Sequence, residues 1–218
     1  MTTITNLEYF EDTPKLQTKL DQQLNLLRHE GNDRKMLDAN LPKKYQQKEY
    51  IQNKRQFILT SRFNNQTWNE NCHFKKRFSK FACIYCTPVM ISTQVPIDSI
   101  MFILEMNNDK NKIMGIGMVR NHPSNKRLPV YENDNYNRYQ YCGKYHIDRT
   151  EMNEEEETIM RVFDILCFRG NRHQKRGHGL TTFPFEMLFR CAPILDLVDF
   201  INAMFKRRLF PTNLSLEN

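Results

Sequence analysis

Long apolar runs are absent from this sequence. No stretch approaches the roughly 20 consecutive apolar residues that a membrane-spanning helix needs. Residues 1–6 provide neither a basic start nor a hydrophobic signal segment. These absences argue against both a membrane protein and a secreted one. We therefore expect a soluble protein that acts inside a cell and has no membrane partner.

Groupings of residues that mark common catalytic and metal sites are also scarce. No Ser/His/Asp set and no paired carboxylates stand out, which disfavours hydrolysis, so we favour a protein with no catalytic residues, metal or cofactor. The single C-x-x-C motif, Cys83 to Cys86, lies in a strand-like context, where residues three apart face opposite sides. Cys72 and His73 complete a zinc ligand set only on paper. We expect the cysteines to be buried free thiols.

The chain carries an excess of positive charge. Its formal net charge is +7 over 218 residues. A basic balance favours polyanionic partners, of which nucleic acid is the main class. A basic surface that is merely solvated is the alternative interpretation.

Two apolar runs around a polar turn form the most regular stretch of the chain. Residues 99–106 and 112–120 are strand-length runs, and the turn formers of residues 107–111 separate them. This pattern predicts a buried β-hairpin. Gly115 and Gly117 share one face of its second strand, where a ring, a backbone or a ligand comes close. Tight packing is the favoured explanation and ligand contact is the alternative.

Residues 1–54 are predicted to be a helical extension and linker, and residues 55–218 to be the main domain. Thr13 and Pro14 are typical of a helix start. A leucine stripe at helical spacing follows, made of Leu16, Leu20, Leu24 and Leu27. We favour docking of this helix on its own domain, with a protein partner as the alternative.

Basic residues alternate with aromatic residues after the first predicted strand, residues 56–63. The only tryptophan, Trp68, lies in the polar stretch that follows this strand. Residues 73–80 then combine phenylalanines with four candidate nucleic-acid-binding cations, Lys75, Lys76, Arg77 and Lys80. Such alternation suits nucleic acid, because cations meet phosphates while rings stack on bases. A loop whose phenylalanines are buried explains it equally well.

A second basic segment follows a predicted helix. Asn153 and Glu156 form a capping box, and the glutamates at 154–157 lie at the positive end of the helix dipole, so we assign them a structural role. The loop at residues 169–179 is the most basic in the chain, and its candidate nucleic-acid-binding residues are Arg169, Arg172, Lys175 and Arg176. We expect it to share one positive face with residues 75–80. A last helix is predicted to open at Pro193.

A slot for a single base is the sharpest expectation for the site. Tyrosines are dense between residues 131 and 145, which suits a recognition surface or a half-buried edge strand formed by residues 139–147. A slot that reads a single base needs flat rings as walls, on which the base stacks, and a few fixed polar groups that choose among bases. We assign the walls to Trp68, Tyr85 and Tyr141, the hydrogen bonds to Asn107 or Asn108, and the free space to Gly115 and Gly117. The alternative places Trp68 in the core.

The order of these elements resembles the PUA-like superfamily, in particular its EVE and YTH branches. Residues 55–61, 95–104, 112–119 and 175–184 are similar in order and pattern to its strands and to the segment that closes its barrel. Asp98 lacks the glycine that precedes the aspartate in that family. The resemblance implies an α+β fold, namely a β-barrel with flanking helices. It also implies a module that reads a base, modified or unmodified, in RNA or single-stranded DNA.

A second resemblance supports a different class of protein. Gln174, Gly177 and Gly179 fit the Q-x-x-G-x-G pyrophosphate loop of GNAT acetyltransferases, and the central hairpin also suits that family. The resemblance implies that these residues bind acetyl-coenzyme A. Pro184 stands where the long phosphate-binding helix of that family is under way, and some fifty residues separate the hairpin from the loop. We rank this alternative second.

A third resemblance concerns the source. Residues 105–108, 136–139 and 175–179 are similar in idiom to uncharacterised proteins of nucleocytoplasmic large DNA viruses. This implies a viral protein located in host cytoplasm or in a virion, and it keeps a structural or interaction protein as a further alternative.

Overall fold

The computed structural model describes residues 55–124 and 126–210. The leucine-striped helix and the linker predicted for residues 1–54 lie outside the described residues. The proposed domain boundary near residue 55 therefore stays a prediction.

The described chain has a mixed α+β fold. Its strands are β1 (Gln56–Phe63), β2 (Cys83–Thr87), β3 (Ile100–Asn107), β4 (Lys112–Arg120), β5 (Tyr139–Gly143), β6 (Tyr145–Asp148) and β7 (Leu180–Thr182). Its helices are α1 (Asn65–Arg77), α2 (Glu154–Phe168), α3 (Phe185–Cys191) and α4 (Leu197–Leu209), with short 3₁₀ turns at Asp134–Asn137 and Arg149–Glu151. None of the described helices is long and apolar enough to cross a membrane.

Five strands form an open sheet in the order β6-β4-β3-β1-β7, and β2 and β5 form a separate ribbon. Strands β1 and β3 are parallel, and the other pairs are antiparallel. The expected closed barrel is therefore wrong for the described residues. The break at Lys144 assigns β5 to the ribbon and β6 to the sheet, so the single strand predicted for residues 139–147 does not form.

The predicted central hairpin is confirmed. Ile100 of β3 lies opposite Arg120 of β4, and Asn107 lies opposite Lys112. The register shifts between Leu104 and Met106, so β4 contains one extra residue opposite Glu105. Such a bulge bends the strand and redirects side chains next to it.

Apolar side chains fill both faces of the sheet. On one face the strands pack against α2, α3 and α4, with Phe102, Phe163 and Ile201 among the fully buried residues. On the other face the strands pack against α1 and the ribbon, where Leu59 and Ile103 are fully buried. The five-stranded sheet is therefore the middle layer of three.

Helix α1 occupies a stretch for which the sequence predicts polar chain and a loop. Asn64 caps its start, since the Asn64 side chain accepts from the Thr67 N–H, and Thr67 completes a capping box. Lys75, Lys76 and Arg77 lie in the last turn, where cations stabilise the negative end of the helix dipole. Only Asn71 and Phe74 are buried, so the apolar stripe of α1 is short.

The capping box that was predicted for α2 is confirmed. The Asn153 side chain accepts from the Glu156 N–H, and the Glu156 side chain accepts from the Asn153 N–H. Glu156 also binds Arg207 and Arg208 at the end of α4, at 3.0 and 2.6 Å. These contacts give Glu156 the structural role that the sequence predicts. The last helix begins after Asp196, whose side chain caps it, and not at Pro193.

Candidate functional site

A fully buried carboxylate lies between the sheet and α1. The Tyr85 hydroxyl donates to Glu105 Oε1 at 2.8 Å, and His146 Nε2 lies 3.0 Å from Glu105 Oε2. Lys75 Nζ lies 3.8 Å from Glu105 Oε1. The side chains of Lys75 and His146 are 17% and 15% exposed, so the cluster reaches solvent through its cationic members. We call these four residues the Glu105 cluster.

Electrostatics keep Glu105 ionised. Burial by itself raises the pKa of a carboxyl group, because the charged form loses hydration. In Glu105 this effect is outweighed by the charges of His146 and Lys75 and by hydrogen bonds from His146 and Tyr85, and the pKa falls to about 2. The buried charge is therefore satisfied within the protein.

The two glycines of β4 make room for this cluster. A methyl group on Gly117 would overlap the Tyr85 ring. On Gly115 it would approach the Ile147 carbonyl oxygen to 2.8 Å and His146 Nε2 to 2.9 Å. The space beside β4 is thus filled by protein side chains, as the tight-packing interpretation predicts.

The expected base slot does not assemble around this space. Tyr85 and Tyr141 face each other across the ribbon, and both are 0% exposed, so neither ring is available as a wall. Asn107 is also buried, and its Oδ1 accepts from the Asp109 and Lys110 N–H groups of the β3–β4 turn. Trp68 is half-buried, and its ring packs edge-on against Phe63 at 5.3 Å.

The basic loop at residues 169–179 is connected to the start of α1 through the β3–β4 turn. Asn108 Nδ2 donates to the Lys175 carbonyl, and Lys175 Nζ donates to Asn111 Oδ1 at 2.7 Å. The same turn is joined to the first residue of α1, because Asp109 accepts from the Asn65 N–H. Twelve rises of 1.5 Å place the two ends of α1 about 18 Å apart. The contacts of Lys175 therefore connect the loop to the start of α1, whereas Lys75, Lys76 and Arg77 lie in its last turn, and a single positive face that joins the two segments stays a prediction.

Contacts within this loop are structural at several positions. Arg172 pairs with Glu186 at 3.2 Å, and Arg62 donates to the Gln174 carbonyl. Arg169 and Arg176 are exposed. Gly177 lies against the Arg62 guanidinium, and Gly179 lies against Thr87. The chain then enters β7 and not a helix, so this loop lacks the helix start on which a pyrophosphate loop depends.

A basic and aromatic surface lies where α1 ends. We call it the basic patch, and it consists of Lys76, Arg77, Phe78, Lys80, Lys144 and Tyr145. All six residues are exposed, and the Phe78 and Tyr145 side chains are the large apolar groups among them, at 41% and 43%. Sequence reasoning identified the three cations between residues 76 and 80. It missed Lys144, which carries no local signal.

Strand pairing joins the two halves of the basic patch. The Ala82 N–H donates to the Gly143 carbonyl at 2.9 Å, and Cys83 Sγ lies 3.4 Å from the Tyr145 carbonyl oxygen. These contacts hold the chain after α1 beside the turn between β5 and β6. Arg77 lies over the Phe78 ring, with its guanidinium carbon 5.5 Å from the ring centre.

Within the described residues, the cations of the basic patch are not neutralised by nearby carboxylates. Among residues 55–124 and 126–210, none of Lys76, Arg77, Lys80 and Lys144 forms an ion pair. Lys75, their neighbour in α1, instead turns inward to Glu105. The patch can therefore offer four positive charges and two rings to an anionic partner.

An open cleft of about 530 Å³ adjoins the basic patch. One side is formed by Glu70, His73, Phe74 and Arg77 of α1, and the other side by residues 129–132, 134 and 137. Arg77 belongs to both the cleft and the patch. We call this feature the α1 cleft.

Metal-binding and thiol chemistry find no support in the described chain. No group of three or more metal-ligating side chains occurs within the two described ranges. All six cysteines are free thiols, of which four are buried as expected, while Cys72 and Cys142 are half-buried. Burial raises the pKa of Cys83 to about 12, so this thiol stays protonated near neutral pH.

The described residues have a mixed α+β fold, and among them the cations of the basic patch have no ion pair. In comparisons with protein-family models, with curated proteins and with solved structures, the chain has no match.

Proposed function

We propose that this protein is a nucleic-acid-binding module without catalytic activity, and that the basic patch binds RNA or single-stranded DNA. The observation that carries the proposal is the exposure of the Phe78 and Tyr145 rings among four cations that have no ion pair within the described residues. Two other features support the same proposal. They are the net charge of +7 and the position of the α1 cleft beside the patch.

The combination of rings and cations favours a single strand over a duplex. Unpaired bases can stack on exposed aromatic side chains, and this stacking contributes about 1–3 kcal/mol per base. Lysine and arginine side chains meanwhile replace counterions along the phosphate backbone. In a duplex the bases are already stacked, so Phe78 and Tyr145 would lose their role.

The test compares equal changes of charge at the two ends of α1. The double variant Lys80→Glu/Lys144→Glu alters the basic patch, and the matched control Arg169→Glu/Arg176→Glu alters the exposed loop. Affinity for fluorescent single-stranded RNA and DNA 12-mers is measured by anisotropy from low to physiological salt. We expect the affinity of the patch variant to fall at least about tenfold. We also expect the salt slope, which is the slope of log K against log salt concentration, to decrease in magnitude by about 1.4. We expect the control to change affinity by less than about threefold.

Two results would overturn the proposal. One is undetectable binding of both 12-mers by the unmodified protein at low salt. The other is an equal loss of affinity in both double variants, since a general charge effect and not the basic patch would then explain binding. Phe78→Ala and Tyr145→Ala should weaken single-strand binding more than duplex binding.

A PUA-like relationship, without the closed barrel, and a viral source remain part of the proposal. Support for a PUA-like relationship comes from the order of residues 55–190 and from the confirmed hairpin. A viral source, with a location in host cytoplasm or in a virion, is supported only by the similarity of short sequence segments to viral proteins. We keep a structural or interaction protein as the further alternative, and the same binding experiment separates it from the nucleic-acid module.

The acetyltransferase alternative has a direct test. If Gln174, Gly177 and Gly179 bind a pyrophosphate, acetyl-coenzyme A at millimolar concentration should raise the melting temperature, and Gly177→Glu should abolish the rise. No geometric feature of the loop favours this alternative, because β7 follows the loop directly.

A further inference from the structure

The α1 cleft presents one helix face to a rigid wall. Glu70, His73, Phe74 and Arg77 have helical i, i+3, i+4 and i+7 spacing, so their side chains project in the same direction. The opposite wall is residues 129–137. Its backbone is fixed by Asn137, whose Oδ1 accepts from the Val130 and Tyr131 N–H groups and whose Nδ2 donates to the Tyr131 carbonyl.

The inner lining of the cleft is apolar and aromatic. Phe74, Val130 and Tyr131 line it with exposures of 3%, 5% and 8%. Asn71 Nδ2 lies 3.2 Å from the Tyr131 hydroxyl and fixes its position. A volume of about 530 Å³ is ample for a flat ring system with an attached sugar and phosphate.

Charged groups of both signs line the cleft, and the α1 side itself carries Glu70 as well as Arg77. Arg77 and His73 belong to the α1 side. Glu132 lies on the opposite wall, is exposed, and has no hydrogen bond or ion pair with another described residue. The other two carboxylates of the lining are engaged, since Asp134 pairs with Arg127 at 2.5 Å and Glu70 accepts from Gln66.

A ring stack joins the cleft to the basic patch. Phe74, in the cleft, stacks on Phe78, in the patch, with ring centres 4.5 Å apart and planes inclined by 26°. Arg77 serves both sites. A strand that lies across the patch can thus turn one base into the cleft without leaving protein contact.

We propose that the α1 cleft binds one unstacked nucleotide of the bound strand and that it prefers guanine. The proposal rests on the function proposed above for the basic patch. The base enters the cleft above this apolar lining, where Tyr131 is more exposed than Phe74, and its phosphate meets Arg77. Glu132 accepts hydrogen bonds from the base edge. Guanine fits because its N1–H and N2–H₂ groups form two adjacent donors, which match the two oxygens of one carboxylate.

Mononucleotides test the cleft independently of the patch. The full chain is titrated with GMP, AMP, CMP and UMP and binding is followed by calorimetry, with guanosine as the probe that lacks phosphate. A bidentate contact to a base discriminates about tenfold or more. We therefore expect GMP to bind at least about tenfold more tightly than UMP, and Glu132→Gln to bring this ratio close to one. The matched control is Glu154→Gln, at the exposed start of α2 on the other face of the sheet, which should leave the ratio unchanged.

Three results would overturn the inference. The first is absence of binding by all four mononucleotides, and the second is equal affinity for GMP and UMP. The third is a Glu132→Gln protein that retains the preference while remaining folded by circular dichroism. Arg77→Gln should remove the advantage of GMP over guanosine, and an unchanged advantage would also contradict the assignment.

These outcomes separate the cleft from the patch. If 12-mers bind through Lys80 and Lys144 but no mononucleotide preference exists, the proposed function stands and the inference fails. If GMP binds selectively while no 12-mer binds, the patch proposal fails, and the cleft is a site for a free guanine nucleotide.

Discussion

The Glu105 cluster and the basic patch draw their cations from adjacent residues of α1 but use them differently. Lys75 turns inward and lies 3.8 Å from Glu105 Oε1. Lys76 and Arg77, the next two residues, remain exposed, and neither forms an ion pair within the described chain. The first region matches its charges internally, and the second leaves them available.

This difference shows what a basic run in a sequence does and does not mean. A cation that neutralises a buried carboxylate contributes to stability, because removal leaves a charge without hydration or a partner. A cation in water contributes little to stability but can replace a counterion on a polyanion. Variants in the two regions should therefore separate stability from binding.

The largest expected effect comes from removing the charge of Glu105. Glu105→Gln keeps the shape but leaves Lys75 and His146 facing a neutral amide, and we expect the free energy of unfolding to fall by roughly 3 kcal/mol. Urea denaturation measures this loss, and Glu154→Gln serves as the exposed control. Stability equal to that of the unmodified protein would show that the cluster does not depend on the carboxylate charge.

Acidification should weaken the same region. The pKa of Glu105 is lowered from 4.5 to about 2 in the folded protein, so the unfolded chain takes up the proton first as pH falls. The resulting stability, on the order of 3 kcal/mol, is complete above about pH 5 and is lost as pH approaches 2. Urea midpoints measured from pH 6 to pH 3 should fall more steeply for the unmodified protein than for Glu105→Gln. Parallel curves would contradict the prediction.

Replacement of Trp68 should alter stability and leave binding intact. Trp68 is half-buried against Phe63 and carries Lys75 over its ring at 5.6 Å, so Trp68→Ala should cost about 2 kcal/mol. Denaturation and anisotropy are measured on the same preparation. Lost affinity with unchanged stability would instead restore Trp68 as a wall of a base-binding slot.

The smallest effects compare the two adjacent lysines directly. Lys75→Met should lower the free energy of unfolding by about 1 kcal/mol and leave affinity for a 12-mer unchanged. Lys76→Met should leave stability unchanged, and the salt slope for single strands should fall by about 0.7. If both variants affect the same property, the distinction between the two regions is wrong.

Local signals explain most of what the sequence predicts correctly. The β3–β4 hairpin follows from two apolar runs and a cluster of turn formers, all within 22 residues that are contiguous in the chain, residues 99–120. The capping box of α2 likewise depends on residues three apart. Neither feature requires knowledge of distant contacts.

Helix α1 was missed because its buried side is short. Only Asn71 and Phe74 of α1 are buried, so its mostly polar sequence shows no apolar stripe at helical spacing. The capping box of Asn64 and Thr67 and the basic last turn were available as signals. The break at Lys144 was also not predicted, and it divides residues 139–148 between the ribbon and the open sheet.

The Glu105 cluster and the basic patch could not be assembled from the sequence. The cluster takes residues from α1, β2, β3 and β6, which are distant in the chain. The patch gains Lys144 and Tyr145 only because β5 pairs with β2. A residue pattern identifies cations, but only tertiary contacts decide which cations are neutralised.

The inner position of β1 has a consequence for synthesis of the chain. One edge of β1 pairs with β3, and the other edge pairs with β7. Leu59 can therefore pair with Thr182 only after the ribosome has synthesised β7. At roughly 5–20 residues per second, a ribosome takes about 6 to 25 s to complete that interval. During this time an apolar strand edge has no partner in the native sheet, and neighbouring nascent chains on one messenger can compete for it. Folding yield should therefore depend on translation speed between residues 63 and 180.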